Sequence, residues 1–147
     1  LNVSIIRIFN TYGPRMKIDD GRVLPTFIKQ ASKGLDITIN GDGNQTRSFC
    51  YISDLIDGLE KVMYSNYAYP INIGNDDEVT INNVASLIIK KLNSESKIVY
   101  KKLPENDPLK RRPNISLAKE HLNWSPRITK ENGIKLLIDY YRENKII

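Results

Sequence analysis

The chain opens with a short apolar and β-branched segment, residues 3–9 (VSIIRIF), that leads into the turn pair Gly13-Pro14. A run of this kind is typical of a buried strand in a parallel sheet. Such a strand needs neighbouring strands on both edges and helices on both faces. The first residue is Leu1 and not Met. We therefore expect this chain to be the C-terminal part of a longer enzyme.

Four segments carry apolar residues at the three- and four-residue spacing of amphipathic helices. The first covers 22–33 and has Pro25 in its first turn, where proline is tolerated. The others start at Ser53-Asp54, at Thr80 and near Lys130, and Ser, Asp and Thr are common helix caps. The positions predicted to face inward are Leu24, Phe27, Ile28, Ala31, Leu55, Ile56, Leu59, Val62, Met63, Ile81, Val84, Leu87, Ile88, Leu92, Ile134, Leu137, Ile138 and Tyr141.

Strand-like segments alternate with these helices. Residues 37–40 (ITIN) and 46–52 flank the turn 41–44 (GDGN), which predicts a pair of strands around a glycine turn. The later pattern predicts a strand at 70–74, an edge strand at 97–103, a charged proline-bounded loop at 103–113 and a short helix at 116–122. This order of elements indicates a mixed α/β fold.

Composition excludes several classes of protein. Hydrophobic residues make up 40% of the 147 and charged residues 27%, which is enough apolar content for a core. No apolar run approaches the roughly 18–20 residues of a membrane span. The single cysteine, Cys50, excludes an internal disulfide and fits a reducing cytosol. Because His121 is the only histidine, we expect no metal site. We also expect a cytoplasmic protein, and the possibility of a membrane anchor upstream is left open.

The net charge of +5 arises from 22 basic and 17 acidic residues. It suits a protein with a phosphate-bearing ligand, and an ordinary solvated basic surface explains it as well. The basic residues are dispersed and do not interleave with aromatic residues as they do in a single-strand binding groove. We therefore expect no nucleic-acid partner.

Three arginines are candidates for binding an anion. Arg47 follows the glycine turn, and Arg111 and Arg112 lie in the charged loop. Two guanidinium groups from separate segments could clamp one diphosphate through paired hydrogen bonds. Solvated or salt-bridged arginines are the alternative. Spacing alone leaves both explanations open. Of the three arginines, Arg112 is predicted to be a surface residue.

Asn10, Thr11 and Asp54 can each be explained by a functional role or by a purely structural one. Asn10 and Thr11 end the opening strand, and ligands of open α/β sheets bind outside the carboxyl ends of strands. A local turn before Gly13-Pro14 would explain the same residues. Asp54 is better explained as the first-turn carboxylate of its helix than as a catalytic group.

One match to a catalytic motif is explained by chance. Tyr141 and Lys145 match Tyr-x-x-x-Lys, but about 0.8 such matches are expected from this composition. The pair lies at the end of the last predicted helix, so we interpret Tyr141 as a core residue. The sequence contains no glycine-rich dinucleotide fingerprint. We accordingly predict no catalytic residue in this chain.

Several segments together resemble a known family. They are 7–16 (RIFNTYGPRM), 20–23 (DGRV), 45–55 (QTRSFCYISDL), 72–75 (NIGN) and 107–113 (DPLKRRP). In order and spacing they are similar to the extended short-chain dehydrogenase/reductases of the NAD-dependent nucleotide-sugar epimerase/dehydratase family. The resemblance covers essentially the whole chain and is greatest to the UDP-glucuronate decarboxylases.

A few positions depart from that pattern. Thr11 stands where dTDP-glucose 4,6-dehydratases usually carry a second Asn, which favours the decarboxylases. Leu24-Pro25 resembles the dehydratases instead, and Asn114 replaces a usual Asp. A dTDP-glucose 4,6-dehydratase or a UDP-sugar 4-epimerase is thus the alternative within the family. A non-catalytic nucleotide-sugar-binding module and a basic RNA-binding domain are alternatives of other classes.

The resemblance implies an α/β fold that is the C-terminal part of an extended Rossmann-type protein. Residues 1–12 would be the last strands of the dinucleotide-binding sheet, and 13–147 the substrate domain, with 53–75 returning to the sheet edge. NAD would bind mainly to an upstream half, and the full-length protein would be a homodimer. The chain alone would be inactive, because the family's Tyr-x-x-x-Lys pair and glycine-rich loop lie upstream.

The resemblance also assigns residues to a UDP-sugar substrate. The residues that would bind it are Asn10, Arg22, Val23, Leu24, Phe27, Ile39, Gln45, Arg47 and Arg111. Thr11 and Arg15 would face the sugar or the cofactor. The implied reaction converts UDP-glucuronate to UDP-xylose and CO2 through a 4-keto intermediate.

Overall fold

The computed structural model describes residues 3–105, 108 and 110–147. Leu1, Asp107 and part of the charged loop predicted at 103–113 lie outside the described residues. Over the described ranges, none of the helices is sufficiently long and apolar to cross a membrane. The strands are β1 (Ile6–Ile8), β2 (Thr11–Tyr12), β3 (Ile37–Asn40), β4 (Thr46–Ser48), β5 (Cys50–Tyr51), β6 (Ile71–Ile73), β7 (Glu78–Thr80), β8 (Ile98–Lys101) and β9 (Lys110–Arg111). The helices are α1 (Val23–Ser32), α2 (Ile52–Met63), α3 (Ile81–Leu92), α4 (Ser116–Leu122) and α5 (Lys130–Glu143).

The opening strand is parallel, as predicted, but shorter and more exposed than predicted. β1 pairs in parallel with β6, with Ile6 opposite Ile71 and Ile8 opposite Ile73. Ile8 is 55% exposed. Among the described residues β6 is the only strand paired with β1, so one edge and one face of β1 are uncovered. A strand of this apolar composition is buried only when a sheet continues beyond it.

The predicted pairing around the glycine turn is wrong. β3 pairs in parallel with β8, whereas β4 pairs antiparallel with β7 and parallel with β9. Gly43 has φ +76°, and a Cβ atom there would lie 2.1 Å from Asn82 Oδ1. Asn82 donates its backbone N–H to Gly43 O. The turn therefore packs against α3, and this contact directs β4 away from β3.

Of the two predicted helix caps, one is confirmed and the other is wrong. Thr80 caps α3, since its hydroxyl accepts a hydrogen bond from Asn83 N at 3.2 Å. The cap predicted at Ser53-Asp54 is wrong, because α2 begins at Ile52 and Tyr51 precedes it without a side-chain cap. Asp54 does lie in the first turn of α2, as predicted. It is buried, and its Oδ2 atom accepts from Ile128 N at 2.9 Å.

Helix faces follow the predicted periodicity except on α2. Residues of α1, α3 and α5 predicted to face inward are buried or partly buried. Ile56 and Met63 of α2 were predicted to be inward and are 53% and 67% exposed. Each directly follows a core residue, Leu55 or Val62, and so lies about 100° around the helix axis from it. The apolar surface of α2 is thus wider than the elements around it cover.

The described residues form two hydrophobic clusters. The larger lies between α1, α3, α5 and the strands β3 and β7. The smaller lies between α2, α4 and the pair β1–β6, with Trp124 at its centre. Trp124 donates its indole N–H to Asp54 O at 3.1 Å, which joins the residues after α4 to α2. The strand pair β2–β5 runs between the two clusters and leads to the candidate site.

Candidate functional site

A cavity of about 210 Å³ opens where the chain leaves β1 and enters β2. Its wall is mixed, with apolar side chains beside amide, hydroxyl and guanidinium groups. The residues that line it are Asn10, Thr11, Tyr12, Met16, Gly21, Arg22, Val23, Leu24, Arg47 and Phe49. Six of the predicted ligand-binding residues (Asn10, Thr11, Arg22, Val23, Leu24 and Arg47) therefore meet at one cavity.

Backbone contacts explain why these separate segments converge. Cys50 N donates to Asn10 O at 2.9 Å in the β2–β5 pair. The Asn10 amide donates to Ser48 O at 3.2 Å, and the Ser48 hydroxyl donates to Arg111 O at 3.2 Å. Asn10 thus ties the opening strand to β4, and Ser48 ties β4 to β9. The amide of Asn10 is anchored at one end and its other side faces the cavity.

Arg47 and Arg111 are direct neighbours across two parallel strands. The register of β4 and β9 places Arg47 opposite Arg111. Neighbouring strands lie about 4.8 Å apart, so the two side chains start close together on the same face of the sheet. The NH1 group of Arg47 donates to Thr46 O at 2.8 Å. Arg111 is exposed beside the cavity and is not part of its wall.

Arg112 points elsewhere, as expected of a surface residue. Adjacent residues of a strand project to opposite faces. The guanidinium of Arg112 is 55% exposed and lies 4.0 Å from the carboxylate of Glu78. The structure therefore separates Arg111, beside Arg47, from Arg112, beside an acidic group.

The N-terminus of α1 forms another part of the cavity wall. Arg22 precedes the helix with extended backbone angles and without a side-chain cap, and no acidic residue lies in the first turn. Val23 and Leu24, the first helical residues, line the cavity. The N–H groups at a helix start have no partner within the helix and carry the positive end of its dipole. This end of α1 is suited to an anionic group.

The loop before α1 contains the remaining predicted arginine. Gly13 O accepts from Met16 N at 3.3 Å, so residues 13–16 form a turn in which Arg15 has φ +67°. Pro14 followed by a residue of positive φ is the pattern of a type II turn. Arg15 is exposed and does not line the cavity. The Tyr141 hydroxyl donates to Met16 O at 2.9 Å and holds this turn against α5.

A second, smaller cavity of about 160 Å³ adjoins the first, and both are lined by Gly21 and Val23. Its wall combines Phe27 with polar residues of β3 and the following turn. The residues that line it are Gly21, Val23, Thr26, Phe27, Thr38, Asn40, Gln45 and Ile81. The Gln45 amide donates to Asn40 O at 2.5 Å and is thereby fixed in the wall. Phe27 and Gln45 from the predicted set lie here.

The side chain of Ile39 is not in either cavity. It is 1% exposed and packs in the larger hydrophobic cluster. Any contact of Ile39 with a ligand would have to come from its backbone. Because alternate residues of a strand face opposite sides, the neighbours Thr38 and Asn40 line the second cavity instead.

Sequence reasoning missed Tyr12 and Met16 as wall residues. Tyr12 lies in the same segment as Asn10 and Thr11, so the motif itself contained the indication. The rings of Tyr12 and Phe49 meet edge to face, with centroids 6.2 Å apart. Phe49 is also in the wall, and it belongs to the motif at 45–55.

Burial favours the neutral forms of Tyr12 and Cys50, which lie in and beside the cavity wall. Burial raises the pKa of the Cys50 thiol to about 12, with a smaller contribution from Asp54. Burial also raises the pKa of Tyr12 well above its usual value. Neither side chain is suited to act as a nucleophile near neutral pH, since each keeps its proton. Tyr141 is fully buried, which agrees with its interpretation as a core residue.

The class of protein follows from this geometry. Parallel strand pairs alternate with helices, and a cavity with anion-binding groups opens where a strand ends and a helix starts. That arrangement is typical of the nucleotide-binding α/β proteins with a Rossmann-type fold.

Residues 1–74 match the model of the NAD dependent epimerase/dehydratase family. The chain belongs to that family, and the resemblance inferred from its motifs is confirmed. It is 45% identical over 142 residues to UDP-glucuronic acid decarboxylase 3 of Arabidopsis thaliana, which covers 97% of this chain and 42% of the relative. It is 44% identical over 141 residues to UDP-glucuronic acid decarboxylase 1 of Danio rerio, covering 96% of the chain and 34% of the relative. The chain thus spans less than half the length of these relatives.

Two solved epimerase structures have the same fold. UDP-glucose 4-epimerase of Thermotoga maritima with UDP-glucose superposes with a TM-score of 0.91 at 28% identity, over 97% of this chain and 46% of that one. UDP-glucuronic acid 4-epimerase of Bacillus cereus, in complex with UDP-glucuronic acid and NAD, gives 0.88 at 29% identity, over 98% and 46%. The predicted Rossmann-type fold class is confirmed.

Proposed function

We propose that this chain forms the nucleotide-sugar-binding part of a UDP-glucuronate decarboxylase. The observation that carries the proposal is the convergence of Asn10, Arg22, Arg47 and the α1 N-terminus on one cavity. The relatives named UDP-glucuronic acid decarboxylase support the choice within the family. The chain covers 42% of the first of them, so the activity would belong to a longer polypeptide or to an assembly.

The diphosphate would lie between α1 and the two paired arginines. Arg47 is in the cavity wall and Arg111 is its neighbour across the β4–β9 register. Guanidinium groups bind phosphate oxygens through two parallel hydrogen bonds. The N–H groups of Val23 and Leu24 would meet the same anion from the opposite side. Two sources of positive charge would then hold one diphosphate in a fixed orientation.

The nucleoside would occupy the second cavity. Phe27 supplies an apolar surface there, and Thr38, Asn40 and Gln45 supply hydrogen-bonding groups. Each of the two cavities is smaller than the roughly 300–1,000 Å³ of a complete ligand pocket. Because Gly21 and Val23 line both, we assign them as two parts of one site.

The sugar carboxylate would be bound by Arg22. This guanidinium is 65% exposed and belongs to the wall of the first cavity. A planar guanidinium fits a planar carboxylate better than a lysine does. Arg15 is the second candidate, although it lies outside the wall. Thr11 would stand at the boundary between sugar and cofactor; its hydroxyl donates to Phe9 O at 2.8 Å, so its lone pairs are left for a ligand.

Within this chain, Thr11 and Arg15 are the residues we assign to contact NAD, at its edge. The sequence has no loop of the glycine-rich type that binds a dinucleotide. NAD, when bound, would accept a hydride from C4 of the sugar and return it after the β-keto acid has lost CO2. The part of this chain would be to bind UDP, to orient the carboxylate through Arg22 and to hold C4 in place. By itself it is expected to bind UDP-glucuronate without turnover.

Titration calorimetry of the 147-residue chain tests the proposal. We expect UDP and UDP-glucuronate to bind, UDP-glucuronate to bind more tightly than UDP-glucose, and dTDP-glucose to bind least. Heats that do not differ from those of buffer for all four nucleotides would overturn the proposal. Tightest binding of dTDP-glucose would favour the 4,6-dehydratase alternative.

A 4-epimerase is the second candidate, because a UDP-glucuronic acid 4-epimerase shares the fold with a TM-score of 0.88. Both activities would use the same substrate and the same oxidation at C4. They differ in whether CO2 leaves. Release of CO2 from carboxyl-labelled UDP-glucuronate, measured on the polypeptide or assembly that contains this chain together with its NAD-binding part, separates them.

A further inference from the structure

Asp20, which is not among the proposed ligand-binding residues, contacts Arg22 through both carboxylate oxygens. Its Oδ1 atom accepts from the backbone N–H of Arg22 at 2.9 Å. Its Oδ2 atom accepts from Arg22 Nε at 2.6 Å and lies 2.6 Å from Arg22 NH2. One carboxylate therefore fixes both the backbone and the guanidinium of Arg22. The side chain of Asp20 is 16% exposed, whereas that of Arg22 is 65% exposed. Asp20 is therefore the more buried and more restricted side chain of the pair.

The segment that carries Asp20 is itself held in place. Tyr141 anchors Met16 O from α5, and Asp20 N donates to Lys17 O at 3.3 Å. Asp19 forms an ion pair with Lys29 of α1. Each contact ties the loop before α1 to a helix or to its own turn. Asp20 thus presents its carboxylate from a fixed position at the start of α1.

The contact uses only one edge of the guanidinium. Nε and NH2 form the side edge, and NH1 with the second N–H of NH2 forms the end edge. Asp20 occupies the side edge. The end edge is turned away from Asp20 and keeps two parallel donors with the spacing of a carboxylate. A long side chain that is already oriented loses less conformational freedom when it binds a ligand.

We propose that Asp20 is a positioning residue for an anionic sugar: it holds Arg22 by its side edge so that the end edge meets the sugar carboxylate. This inference rests on the proposed function. An exposed ion pair contributes little to stability. The benefit of this pair would therefore appear in the selectivity of binding between charged and neutral sugars.

The test is a double-mutant cycle on the 147-residue chain, with calorimetric titration of UDP, UDP-glucose and UDP-glucuronate. Asn at position 20 keeps one oxygen that can accept from Arg22 N. Its NH2 group replaces the second carboxylate oxygen and cannot accept a hydrogen bond from the guanidinium. We expect Asp20→Asn to weaken UDP-glucuronate binding roughly three- to fivefold and Arg22→Ala about tenfold, a factor that corresponds to 1.4 kcal/mol. UDP and UDP-glucose should change by less than about twofold. In the Arg22→Ala background, Asp20→Asn should have no further effect.

Asp19→Asn is the matched control, because it removes the same charge from the neighbouring residue without touching Arg22. It should leave all three affinities unchanged. If circular dichroism shows that Asp20→Asn is unfolded, Asp20→Ser repeats the cycle, since serine also forms this turn.

Other results would overturn the inference in distinct ways. An equal loss for UDP and UDP-glucuronate would mean that Asp20 only supports the start of α1. Tighter binding of UDP-glucuronate by Asp20→Asn would mean that Asp20 competes with the ligand. An effect of Asp20→Asn that persists without Arg22 would exclude the coupling. Absence of UDP binding by the unmodified chain would overturn the proposed function together with this inference.

Discussion

At the scale of single residues, position along the chain decides which arginine of the charged loop lies beside Arg47. Arg47 and Arg111 share a register position on parallel strands, whereas Arg112, one residue further, faces Glu78. Arg111 is the last residue of β9 and pairs with Arg47, whereas Arg112 lies beyond the end of the strand. Residue type alone does not separate Arg111 from Arg112, since both are arginines of the same charged loop.

Replacement of either clamp arginine should weaken nucleotide binding. A hydrogen bond to a charged group contributes about 1.5–3 kcal/mol. We therefore expect Arg47→Ala and Arg111→Ala each to weaken UDP binding roughly ten- to a hundredfold, as measured by calorimetry. Arg112→Ala is the control and should bind UDP as the unmodified chain does. A loss of affinity confined to Arg112→Ala would show that the assignment is reversed.

The buried thiol of Cys50 should make the fold sensitive to alkali. Its pKa is about 12 in the folded chain and 9.0 as the ordinary value, so the unfolded chain loses this proton first as the pH rises. The stabilisation is complete below pH 9 and is lost towards pH 12, with a slope of up to about 1.4 kcal/mol per pH unit. Urea unfolding at a series of pH values measures this slope.

Cys50→Ala should reduce that slope without abolishing it. Burial also raises the pKa of Tyr141 to about 12, so this hydroxyl contributes a fall of the same sign. An unchanged slope in Cys50→Ala would contradict the role given to the thiol. Iodoacetamide should leave the folded chain unmodified at pH 8, because the nucleophile is the thiolate.

At the scale of elements, side-chain caps distinguish the helices. Thr80 caps α3 and Thr129 caps α5, each through a hydroxyl that accepts from the third residue on. α2 has no side-chain cap and follows β5 directly. In its first turn, the Asp54 carboxylate accepts a hydrogen bond from Ile128 N. A tertiary contact therefore fixes the start of α2, and local contacts fix the starts of α3 and α5.

Removal of the two predicted caps should have unequal effects. Thr80→Ala removes the acceptor for Asn83 N, which should lower the free energy of unfolding by about 1 kcal/mol. Ser53→Ala is the matched control, because Ser53 is exposed and does not cap α2. It should change stability by less than about 0.5 kcal/mol. Chemical denaturation followed by circular dichroism compares the two, and equal losses would contradict the assignment of the caps.

At the scale of the whole molecule, the two hydrophobic clusters differ in how completely they are covered. The larger cluster is enclosed by α1, α3 and α5. Around the smaller one, Ile5 and Ile8 beside the sheet and Ile56 and Met63 on α2 are more than half exposed. Apolar patches of this kind mark interaction surfaces. That further strands and helices pack against β1 stays a prediction.

We expect the chain to self-associate through the exposed face of α2. Sedimentation velocity at increasing concentration should show a rising weight-average mass. Replacement of Ile56 and Met63 by Gln should shift the distribution towards the monomer. Leu136→Gln is the control, because Leu136 is an exposed apolar residue on a different helix, α5. A concentration-independent monomer for the unmodified chain would contradict this prediction.

The site could be predicted from the sequence as a set of residues and not as an arrangement. Asn10, Arg22 and Arg47 were found because their motifs are local strings with a fixed order. Their convergence depends on the hydrogen bonds from Asn10 to Ser48 and from Ser48 to Arg111, which join segments distant in the chain. The wall residues Thr38 and Asn40 were missed because the motif pointed to Ile39, whose side chain faces the core.

The sequence by itself determined the helices α1 to α5, the mixed α/β class and the family, because apolar periodicity, turn residues and motifs are properties of short segments. Only the tertiary structure decided which strands pair. β3 and β4 are separated by a glycine turn, yet α3 packs into that turn and each strand pairs with a later segment. Strand pairing depends on contacts between distant segments, and the burial of β1 and α2 depends on whatever packs against them. The short-range pattern contains neither kind of information.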